Sequence, residues 1–405
     1  MSSIISEPPR DVFDAGGRGL QHHGLRRANE RAVLTVIGFN GGVSNADIAR
    51  LSGLAPQTVS AILTDLDRAG LIMRGEVLRG RRGQPATPIF LRAEGAFAIG
   101  VEIGWRHVDV LLLDLHAQVL TRQHRHYTFP DATTILGDIV TMIEAVLAGL
   151  PTDRRERLVD IGVALPSNIA DNLSLVAAPD EQRALWARVD VAGELARRTG
   201  LAVTLFNDGN AACWAELIAF PKPRPANFIY FLISRYIAAG ILGEGMLWEG
   251  PNDNSANLGS MLVSDGKGQM QAAHFVASVT ALENRLAEAG FVVDPSQMEQ
   301  WDWAGFGPVL DRWIADSAQA LAGVVFNTTR VIESGLVVLD SVLPPPIVAR
   351  LVERLDAELR RLPIAPFTPP QVLSGHLGGL APAIGASELT LYRRYFSRTL
   401  ADLAG

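Results

Sequence analysis

The sequence predicts an α/β protein in which a small winged helix-turn-helix precedes a larger α/β body of two lobes. The chain has 405 residues, which suffices for two or three domains. Helical periodicity dominates residues 1–95, whereas strands and helices alternate after them. Residues 1–95 hold 12 Arg and 9 acidic residues, a net charge of +3, and the remainder carries −10. A basic head on an acidic body is typical of DNA binding combined with a second role, although chance accounts for the counts equally well.

Composition and cysteine content exclude several classes of protein. With 48% hydrophobic and 20% charged residues, the chain is neither collagen-like, mucin-like nor largely disordered. Its single cysteine, Cys213, excludes an intrachain disulfide and a cysteine-cluster zinc or iron–sulfur site, and it favours a reducing compartment. The sequence contains no apolar run of about 18 residues and no signal-peptide core near its start. We therefore expect a cytoplasmic protein without a membrane partner.

The first helices follow a tail, residues 1–24, that we expect to be flexible. Residues 25–93 then form the predicted winged helix-turn-helix. Its first helix is Arg26–Phe39, where apolar residues recur at helical spacing. Ser44 begins a second, short helix as its N-cap, and Asp47 lies near the capping-box position. A short helix followed by a tight turn and another helix is the helix-turn-helix pattern.

The third helix, predicted over residues 55–70, has a polar face suited to the major groove of DNA. Gly53 lies in the turn before it, and Pro56 occupies the first turn, where proline is tolerated. Its acidic residues, Asp65 and Asp67, come only in the last turns. Small and amide-bearing side chains at the start can therefore read base edges without repelling phosphates. We expect base contacts from Gln57, Thr58, Ser60, Ala61 and Thr64.

A β-hairpin wing is predicted after the third helix. Leu71–Ile72 and Ile89–Leu91 are its apolar arms, and a loop rich in arginine and glycine, RGRRGQP, forms its tip. Such a tip can follow the phosphate backbone or enter a narrow minor groove. A solvated charged loop is the alternative when the tip is taken alone. The predicted DNA contacts here are Arg79, Arg81, Arg82 and Gln84.

The remaining residues, 94–405, predict an α/β body with lobes over about 94–206 and 207–385. The C-terminal helix is an element that can return to the first lobe. Short connections between the predicted strands and helices support this arrangement. The predicted strands are Phe97–Ile103, Val108–Leu115, Val119–His126, Asp160–Leu165, Val203–Phe206, Phe228–Ile233, Ala238–Leu242 and Leu336–Asp340. The predicted helices are Thr133–Leu150, Asp190–Thr199, the segment after Asn207, Met270–Ala289, Trp313–Glu333 and Pro346–Leu362.

Five stretches of the body together resemble the ROK family (repressors, open reading frames and sugar kinases). They are AIGVEIGWRHVDVLLLDLHAQVL, DIGVALPSNIA, TLFNDGNAACWAE, AAGILGEGMLWEGPNDNSANLGSM and LVVLDSVLP, in this order. The resemblance covers most of the chain and implies an actin-like fold. The winged helix before the body is similar to the repressor branch of that family.

The two phosphate-binding turns of the family's kinases are altered in this chain. The first resembles Asp-x-Gly-Gly-Thr in kinases, but here Trp105 takes the place of the second glycine, after Glu102. The second resembles Gly-Thr-Gly-Ile-Gly, but here the segment after Ile233 has no glycine until Gly240. Phosphate binding needs backbone N–H groups with space around them. We therefore expect no nucleotide, no cofactor and no catalytic residue, although Arg106 or Arg235 could contact phosphate by charge.

The family's sugar site is altered but still polar. Asp208 resembles the catalytic base, and without a phosphoryl donor it would only accept hydrogen bonds from a polyol; its alternative role is to cap the following helix. Asn257 replaces a sugar-binding carboxylate, and Ser260 replaces a histidine that also ligates zinc in the family. Because the family's cysteines are absent, we expect no metal there, and we expect His274 to pack or face solvent. The predicted ligand contacts are Ser167, Asn168, Asn207, Asp208, Asn257 and Ser260.

These features favour a transcriptional regulator that binds an operator in double-stranded DNA; we expect a repressor, and the sequence leaves an activator open. Its affinity would be set by a sugar or polyol effector, and paired half-sites would require a homodimer or a tetramer. Three alternatives stay open: a ROK-type sugar kinase with an added DNA-binding head, an adaptor whose winged helix binds protein, and a vestigial cleft without a ligand. Trp186, Trp214 and Trp248 could stack on a sugar, but core or interface positions are their usual place.

Overall fold

The computed structural model describes residues 22–76, 87–250, 256–265, 268–364 and 366–396. Of the predicted flexible tail, residues 1–24, the first 21 lie outside these ranges, as do the predicted wing contacts Arg79, Arg81, Arg82 and Gln84. Residues 22–24 were wrongly assigned to the tail, because they form the start of the first helix. Among the described helices, none has the length and apolar composition that a membrane span requires.

The helices and strands follow the predicted alternation. The α-helices are α1 (His22–Asn40), α2 (Asn45–Ser52), α3 (Pro56–Arg68), α4 (Ile135–Ala148), α5 (Thr152–Arg155), α6 (Ile169–Asn172), α7 (Asp180–Trp186), α8 (Val191–Thr199), α9 (Asp208–Ala219), α10 (His274–Ala277), α11 (Val279–Glu288), α12 (Gly307–Val331), α13 (Pro345–Arg361) and α14 (Ala381–Tyr395). The strands are β1 (Ile72–Arg74), β2 (Ile89–Leu91), β3 (Phe97–Ile103), β4 (His107–Asp114), β5 (Val119–His126), β6 (Leu158–Leu165), β7 (Val203–Asn207), β8 (Phe228–Ile233), β9 (Ile237–Gly243), β10 (Met246–Leu247), β11 (Leu262–Ser264), β12 (Met270–Ala272), β13 (Leu336–Ser341) and β14 (Gln371–Ser374).

Helices α1 to α3 and the hairpin β1–β2 form the winged helix. Ser44 caps α2 and forms a full capping box with Asp47, and Gly53 ends α2 in the left-handed region at φ 70°. Strands β1 and β2 pair antiparallel, with Ile72 opposite Leu91. Apolar residues from all three helices and the hairpin share one core. The predicted helix-turn-helix and the hairpin arms are therefore confirmed in the described residues.

The body consists of two lobes with the same sheet plan. The first sheet has the order β5-β4-β3-β6-β7 and the second has the order β10-β9-β8-β13-β14. In each lobe two antiparallel pairs are followed by two parallel ones. The central strand β3 is buried throughout, as its apolar run FAIGVEI predicts for a strand covered on both faces. The predicted fold class, a winged helix followed by a two-lobed actin-like body, is confirmed.

One predicted helix, Met270–Ala289, is wrong over its first four residues. Residues 270–272 form β12, which pairs with β11, and the chain is helical from His274 onward. The helix is also interrupted at Ser278, whose backbone is extended at φ −90° and ψ 167°. The Ser278 hydroxyl accepts a hydrogen bond from the Ala281 N–H and so begins a new helix, α11. A serine inside an apolar pattern thus marks a helix start here.

Helix α14 joins the lobes to the winged helix. A Cβ at Gly162 of β6 would lie 2.1 Å from the Ala386 carbonyl oxygen, so backbone of α14 lies directly on the first sheet. The same helix packs along α9. At its other end, Leu391 and Phe396 enter the core of the winged helix. The last helix therefore contacts the first lobe, α9 and the winged helix at once.

Candidate functional site

The polar face of α3 is open to solvent. Gln57, Ser60, Ala61 and Thr64 are exposed and Thr58 is half-buried, whereas the apolar stripe of the helix faces the winged-helix core. The Ser60 hydroxyl accepts a hydrogen bond from the Asn45 amide at 3.0 Å, which holds the two helices in register. These five side chains therefore share one accessible surface, and their contacts with bases stay a prediction.

The acidic residues of α3 are each paired with arginine. Asp65 accepts from Arg26 at 2.5 Å and from Arg68 at 3.0 Å, and Asp67 lies 3.6 Å from Arg74. Because these carboxylates are partly neutralised, they repel DNA phosphates less than free acids would. The arginines also add positive charge beside the polar face.

A cavity of about 240 Å³ lies between the lobes. It brings together the predicted ligand residues of both lobes, although they are far apart in sequence. Asn168 is the exception: the described wall includes Asn172 instead, and Asn168 precedes α6 with a left-handed backbone at φ 51°. The predicted residues that line the cavity are Ser167, Asn207, Asp208, Asn257 and Ser260. Their ligand role stays a prediction.

Asn207 and Asp208 begin α9 at the base of the cavity. The Asn207 side chain caps the helix by accepting from the Asn210 N–H at 2.9 Å and donates to the Ser167 hydroxyl at 2.9 Å. Asp208 Oδ1 accepts from the Gly209 N–H at 2.8 Å, which leaves Oδ2 for a ligand. Burial, and secondarily the charge of Glu102, raise the pKa of Asp208 to about 7. Both predicted roles of Asp208 are therefore compatible, because its two oxygens face different partners.

A hydrogen-bonded chain from His274 orients Asn257 on the opposite wall. His274 Nδ1 accepts from the Ile237 N–H at 3.0 Å, so Nε2 carries the proton and donates to the Ser260 hydroxyl at 3.3 Å. Ser260 in turn donates to Asn257 Oδ1 at 3.0 Å, which leaves the Asn257 amide N–H groups as donors. Burial lowers the pKa of His274 to about 4, so the ring is neutral at physiological pH. The sequence argument missed this role of His274.

Two aromatic rings lie in the turns that correspond to the glycine-rich, phosphate-binding turns of the family's kinases. Trp105, from the turn after β3, and Tyr236, from the turn after β8, are in edge-to-face contact at 5.5 Å. The Tyr236 hydroxyl also donates to the Leu175 carbonyl at 2.7 Å. Arg235 forms an ion pair with Glu283. Aromatic side chains, and not glycine backbone, therefore line this part of the cavity.

The three tryptophans considered for sugar stacking lie elsewhere. Trp186 is buried in the first lobe and donates to the Pro130 carbonyl at 2.7 Å. Trp214 is buried at the junction of α9 and α14, and Trp248 lines a different surface cavity. The aromatic side chains of the interlobe cavity are Trp105, Tyr236 and Phe275.

A cluster of histidines and carboxylates lies on β3, β4 and β5, at the end of the first sheet that adjoins the Trp105 turn. Glu102, His107 and Asp109 approach one another within 4.8 Å, and His124 and His126 continue the cluster on β5. Sequence reasoning missed it, although His107 with Asp109, and His124 with His126, each show the spacing of two that puts side chains on one face of a strand.

Aromatic residues join the body to the winged helix. Trp214 of α9 contacts Tyr392 of α14 at 4.6 Å between ring centroids, and Tyr392 contacts Phe39 of α1 at 6.5 Å. Phe396 packs against both Phe39 and Tyr392. Since α9 begins at Asp208, one helix leads from the cavity to this junction.

Comparisons with known proteins agree with this architecture. The family model described as winged helix-turn-helix DNA-binding matches residues 26–73. The chain is 24% identical over 242 residues to the xylose repressor of Bacillus spizizenii, which covers 59% of this chain and 61% of that protein. The aligned region thus spans less than two thirds of the length of that relative.

Solved structures share the fold at low sequence identity. A ROK family transcriptional regulator, a homolog of the Escherichia coli MLC protein, has a TM-score of 0.67 and 18% identity, with 94% of this chain and 100% of that chain covered. A ROK family glucokinase from Streptomyces griseus has a TM-score of 0.57 and 19% identity, with 73% and 99% covered. The regulator match extends over the winged helix as well. The family model described as ROK family matches residues 98–392, and this chain therefore belongs to the ROK family.

Proposed function

We propose that this protein is a DNA-binding transcriptional repressor whose operator affinity is set by a sugar or polyol bound between the lobes. The winged helix supplies an exposed polar face on α3, flanked by arginines that neutralise its acids. The chain is similar over 242 residues to a protein named as a xylose repressor, and over 94% of its length to a ROK family transcriptional regulator. These observations support DNA as the macromolecular partner.

The polarity of the cavity supports a small neutral ligand rich in hydroxyl groups. Asp208 Oδ2 accepts when the carboxyl is ionised and can donate when it is protonated, the Asn257 amide is a donor, and the Ser167 hydroxyl can donate once it has accepted from Asn207. Such alternating groups match vicinal hydroxyls, each of which donates and accepts. A cavity of about 240 Å³ suits one small molecule rather than a sugar together with a nucleotide.

The observation that carries the regulatory part of the proposal is the connection between cavity and DNA-binding module. A ligand on Asp208 contacts the first residue of α9, and Trp214 of the same helix packs on Tyr392. Tyr392 packs on Phe39, at the end of α1. A ligand that favours one packing of α9 on α14 would therefore favour one orientation of the winged helix.

A pair of winged helices is part of the proposal. A single helix-turn-helix covers little DNA, and paired half-sites spaced by one helical turn require two reading helices related by symmetry. We infer a homodimer or a tetramer. A change in the orientation of each winged helix would then alter the spacing between the two α3 helices and weaken operator binding.

The alternative of an ATP-dependent sugar kinase is disfavoured by Trp105 and Tyr236, whose rings meet where phosphates would lie. A carboxylate in the position of Asp208 suffices to bind a hydroxyl, but phosphoryl transfer also needs a bound donor. The protein is accordingly proposed to be a regulator and not an enzyme.

The test begins with selection of genomic DNA fragments by the purified full-length protein. The affinity for a selected duplex is then measured at fixed salt with a panel of neutral sugars, polyols and sugar acids. We expect one compound to change the affinity by about 5- to 100-fold. Retention of the same affinity across the whole panel would contradict the ligand-sensing part of the proposal, and turnover of a sugar with ATP and Mg²⁺ would support the kinase instead.

A wing variant separates a DNA-binding from a protein-binding winged helix. Replacing Arg79, Arg81 and Arg82 together with alanine should weaken binding to all duplexes and make its salt dependence shallower. Gln57→Ala should instead relax the preference among sequences. If the wing variant binds every duplex as well as the unaltered protein does, the winged helix acts on another partner.

A further inference from the structure

We propose that Glu102, His107 and Asp109 form a binding site for a divalent transition-metal ion of the Zn²⁺ class. These residues lie on β3 and β4. They do not belong to the segment around Ser260, where the family resemblance implies a zinc site made of histidine and cysteines. The inference does not depend on DNA binding or on the sugar site. It concerns a metal ion, which we did not expect from the sequence.

The antiparallel register of β3 and β4 builds the site. Glu102 pairs directly with Asp109, so both carboxylates point to the same face of the sheet. His107 precedes Asp109 by two residues on β4 and shares that face. His107 Nε2 lies 3.4 Å from Glu102 Oε1 and 3.7 Å from Asp109 Oδ2. One imidazole nitrogen and two carboxylate oxygens therefore converge on one point.

These separations fit ligands of one small ion. Zn–N and Zn–O bonds of about 2.0–2.2 Å in tetrahedral geometry place neighbouring donor atoms about 3.4 Å apart. The two distances from His107 match that spacing. Imidazole together with carboxylates suits Zn²⁺ and its first-row neighbours, whereas Ca²⁺ and Mg²⁺ prefer oxygen ligands alone.

An orphaned carboxylate oxygen indicates a missing cation. Glu102 is 6% exposed, and its Oε2 has no hydrogen-bond partner within the described ranges. Asp109 is 1% exposed and lies directly beside it. Two buried carboxylates in register repel each other unless a positive charge lies between them. Arg122 meets only Asp109, through Nε to Oδ1 at 2.7 Å, and the group that faces Glu102 is His107, whose Nε2 can hold either its own proton or a metal ion against the carboxylate.

Neighbouring groups hold the three ligands in place. Asp109 Oδ1 accepts from Arg122, which leaves Oδ2 for the ion, and His124 Nδ1 lies 3.1 Å from both oxygens of Asp109. His126 lies 3.1 Å from the other nitrogen of His124. A Cβ at Gly104 would lie 2.4 Å from the His107 ring, so only glycine lets the ring occupy this position. Supporting contacts of this kind orient the ligands of metal sites.

The site has an entry path from solvent. The His107 side chain is 26% exposed and that of His124 is 31% exposed, while both carboxylates lie below them. The imidazoles are therefore the part of the cluster that is accessible to an ion from solvent.

The test is a Zn²⁺ titration of full-length protein that has been treated with a chelator and dialysed. We expect one tightly bound equivalent by calorimetry and by metal analysis, and Co²⁺ should give the visible absorption of a low-coordinate nitrogen–oxygen site. Bound Zn²⁺ should raise the melting temperature. His107→Ala and Glu102→Gln should each weaken this binding at least tenfold. Glu102→Gln is nearly isosteric and removes the orphaned charge, so the metal-free variant should stay folded.

Two control variants make the result specific. His376 pairs with a single carboxylate, Glu216, at 2.5 Å and lacks a third ligand, so His376→Gln should leave Zn²⁺ binding unchanged. Replacing both His22 and His23 with alanine removes an adjacent histidine pair that could bind Zn²⁺ independently. If Glu102→Gln and His107→Ala keep the bound equivalent, or if the His22/His23 variant loses it, the proposed site is wrong. Absence of any bound equivalent in the unaltered protein also overturns it.

Discussion

The polar face of α3 and the interlobe cavity both present hydroxyl and amide groups, but they differ in how these groups are held. On α3 the side chains point outward, and those of Ser60 and Thr64 bond only to neighbouring residues of the winged helix. In the cavity a continuous chain of hydrogen bonds runs from His274 to Asn257. The polar groups of α3 are free to be oriented by a large partner when it binds. Those of the cavity are already oriented for a small ligand.

This difference indicates how each region obtains affinity. The face of α3 lies beside arginines, and their attraction to DNA phosphates adds to its affinity. Its binding therefore depends on salt concentration and does not require each side chain to be fixed in advance. A cavity whose groups are already oriented loses little conformational entropy when a ligand binds, and it discriminates by unpaired polar groups. Variants that affect one region and spare the other test this division directly.

The largest effect is expected from Ala61→Glu on α3. Ala61 is exposed on the polar face, and glutamate is a good helix former, so the fold should persist. A carboxylate there would face bases and phosphates and should reduce operator affinity to the nonspecific level, on the order of 10³-fold. Electrophoretic mobility shifts or fluorescence anisotropy at fixed salt measure it.

Ala145→Glu is the matched control, because Ala145 is an exposed alanine in α4 of the body. This variant should bind the operator as the unaltered protein does. Both variants should retain the same ligand affinity in the cavity. Equal losses of operator affinity in both would mean that overall charge, and not the face of α3, governs DNA binding.

The next effect concerns the cavity and follows from Asp208. The folded protein holds this proton up to a pKa of about 7, whereas the unfolded chain loses it near 3.8. The folded state therefore binds more protons between these values, and stability falls as pH rises across them. Asp208→Asn removes this loss, so it should stabilise the protein more at pH 8 than at pH 5, by up to about 3 kcal/mol. Urea unfolding in metal-free buffer measures the difference.

Asp131→Asn provides the control with the opposite sign. Hydrogen bonds from the Thr133 hydroxyl and N–H lower the pKa of Asp131 in the folded protein. Its contribution is present above the unfolded pKa and disappears as pH falls, so the asparagine variant should be the less stable one at pH 8. If the stability of Asp208→Asn relative to the unaltered protein is the same at pH 5 and pH 8, the Asp208 carboxylate is well solvated in the folded protein.

The two regions also differ in how far the sequence predicts them. The face of α3 comes from one contiguous segment, where helical period alone assigns each side chain to the core or to solvent. The cavity collects Ser167, Asp208 and Asn257 from three segments that are far apart in sequence, and these were found through the family resemblance. The role of His274 was missed because it depends on where Ser260 and the Ile237 backbone lie.

The histidine–carboxylate cluster shows the same limit. A spacing of two places His107 and Asp109 on one face, but only the register of β3 and β4 brings Glu102 beside them. A shift of one residue in the intervening turn would put the carboxylates on opposite faces. The predicted helix over Met270–Ala289 was wrong at its start for a related reason, because the pairing of β12 with β11 depends on the tertiary fold.

A smaller effect should come from the junction between the two regions. Tyr392→Leu removes the ring that contacts both Trp214 and Phe39. DNA affinity and ligand affinity measured separately should persist, while the ligand-induced change in DNA affinity, expected at about 5- to 100-fold, should fall towards none. Phe220→Leu is the control, because Phe220 packs on Phe228 within the body. Undiminished coupling in Tyr392→Leu would assign transmission to other contacts.

The smallest effect compares one helix cap in each region. Ser44→Ala removes the capping box of α2, in which the Ser44 hydroxyl accepts from the Asp47 N–H at 3.2 Å and Asp47 accepts from the Ser44 N–H at 3.3 Å. The expected cost is about 1 kcal/mol, seen as faster hydrogen exchange in α2 and a few-fold weaker operator binding. Ser278→Ala removes the equivalent cap of α11 in the body, where it should accelerate exchange without changing DNA affinity. If both variants weakened operator binding alike, the winged helix would depend on the whole body for its stability, and the two regions could not be treated as separately adjustable.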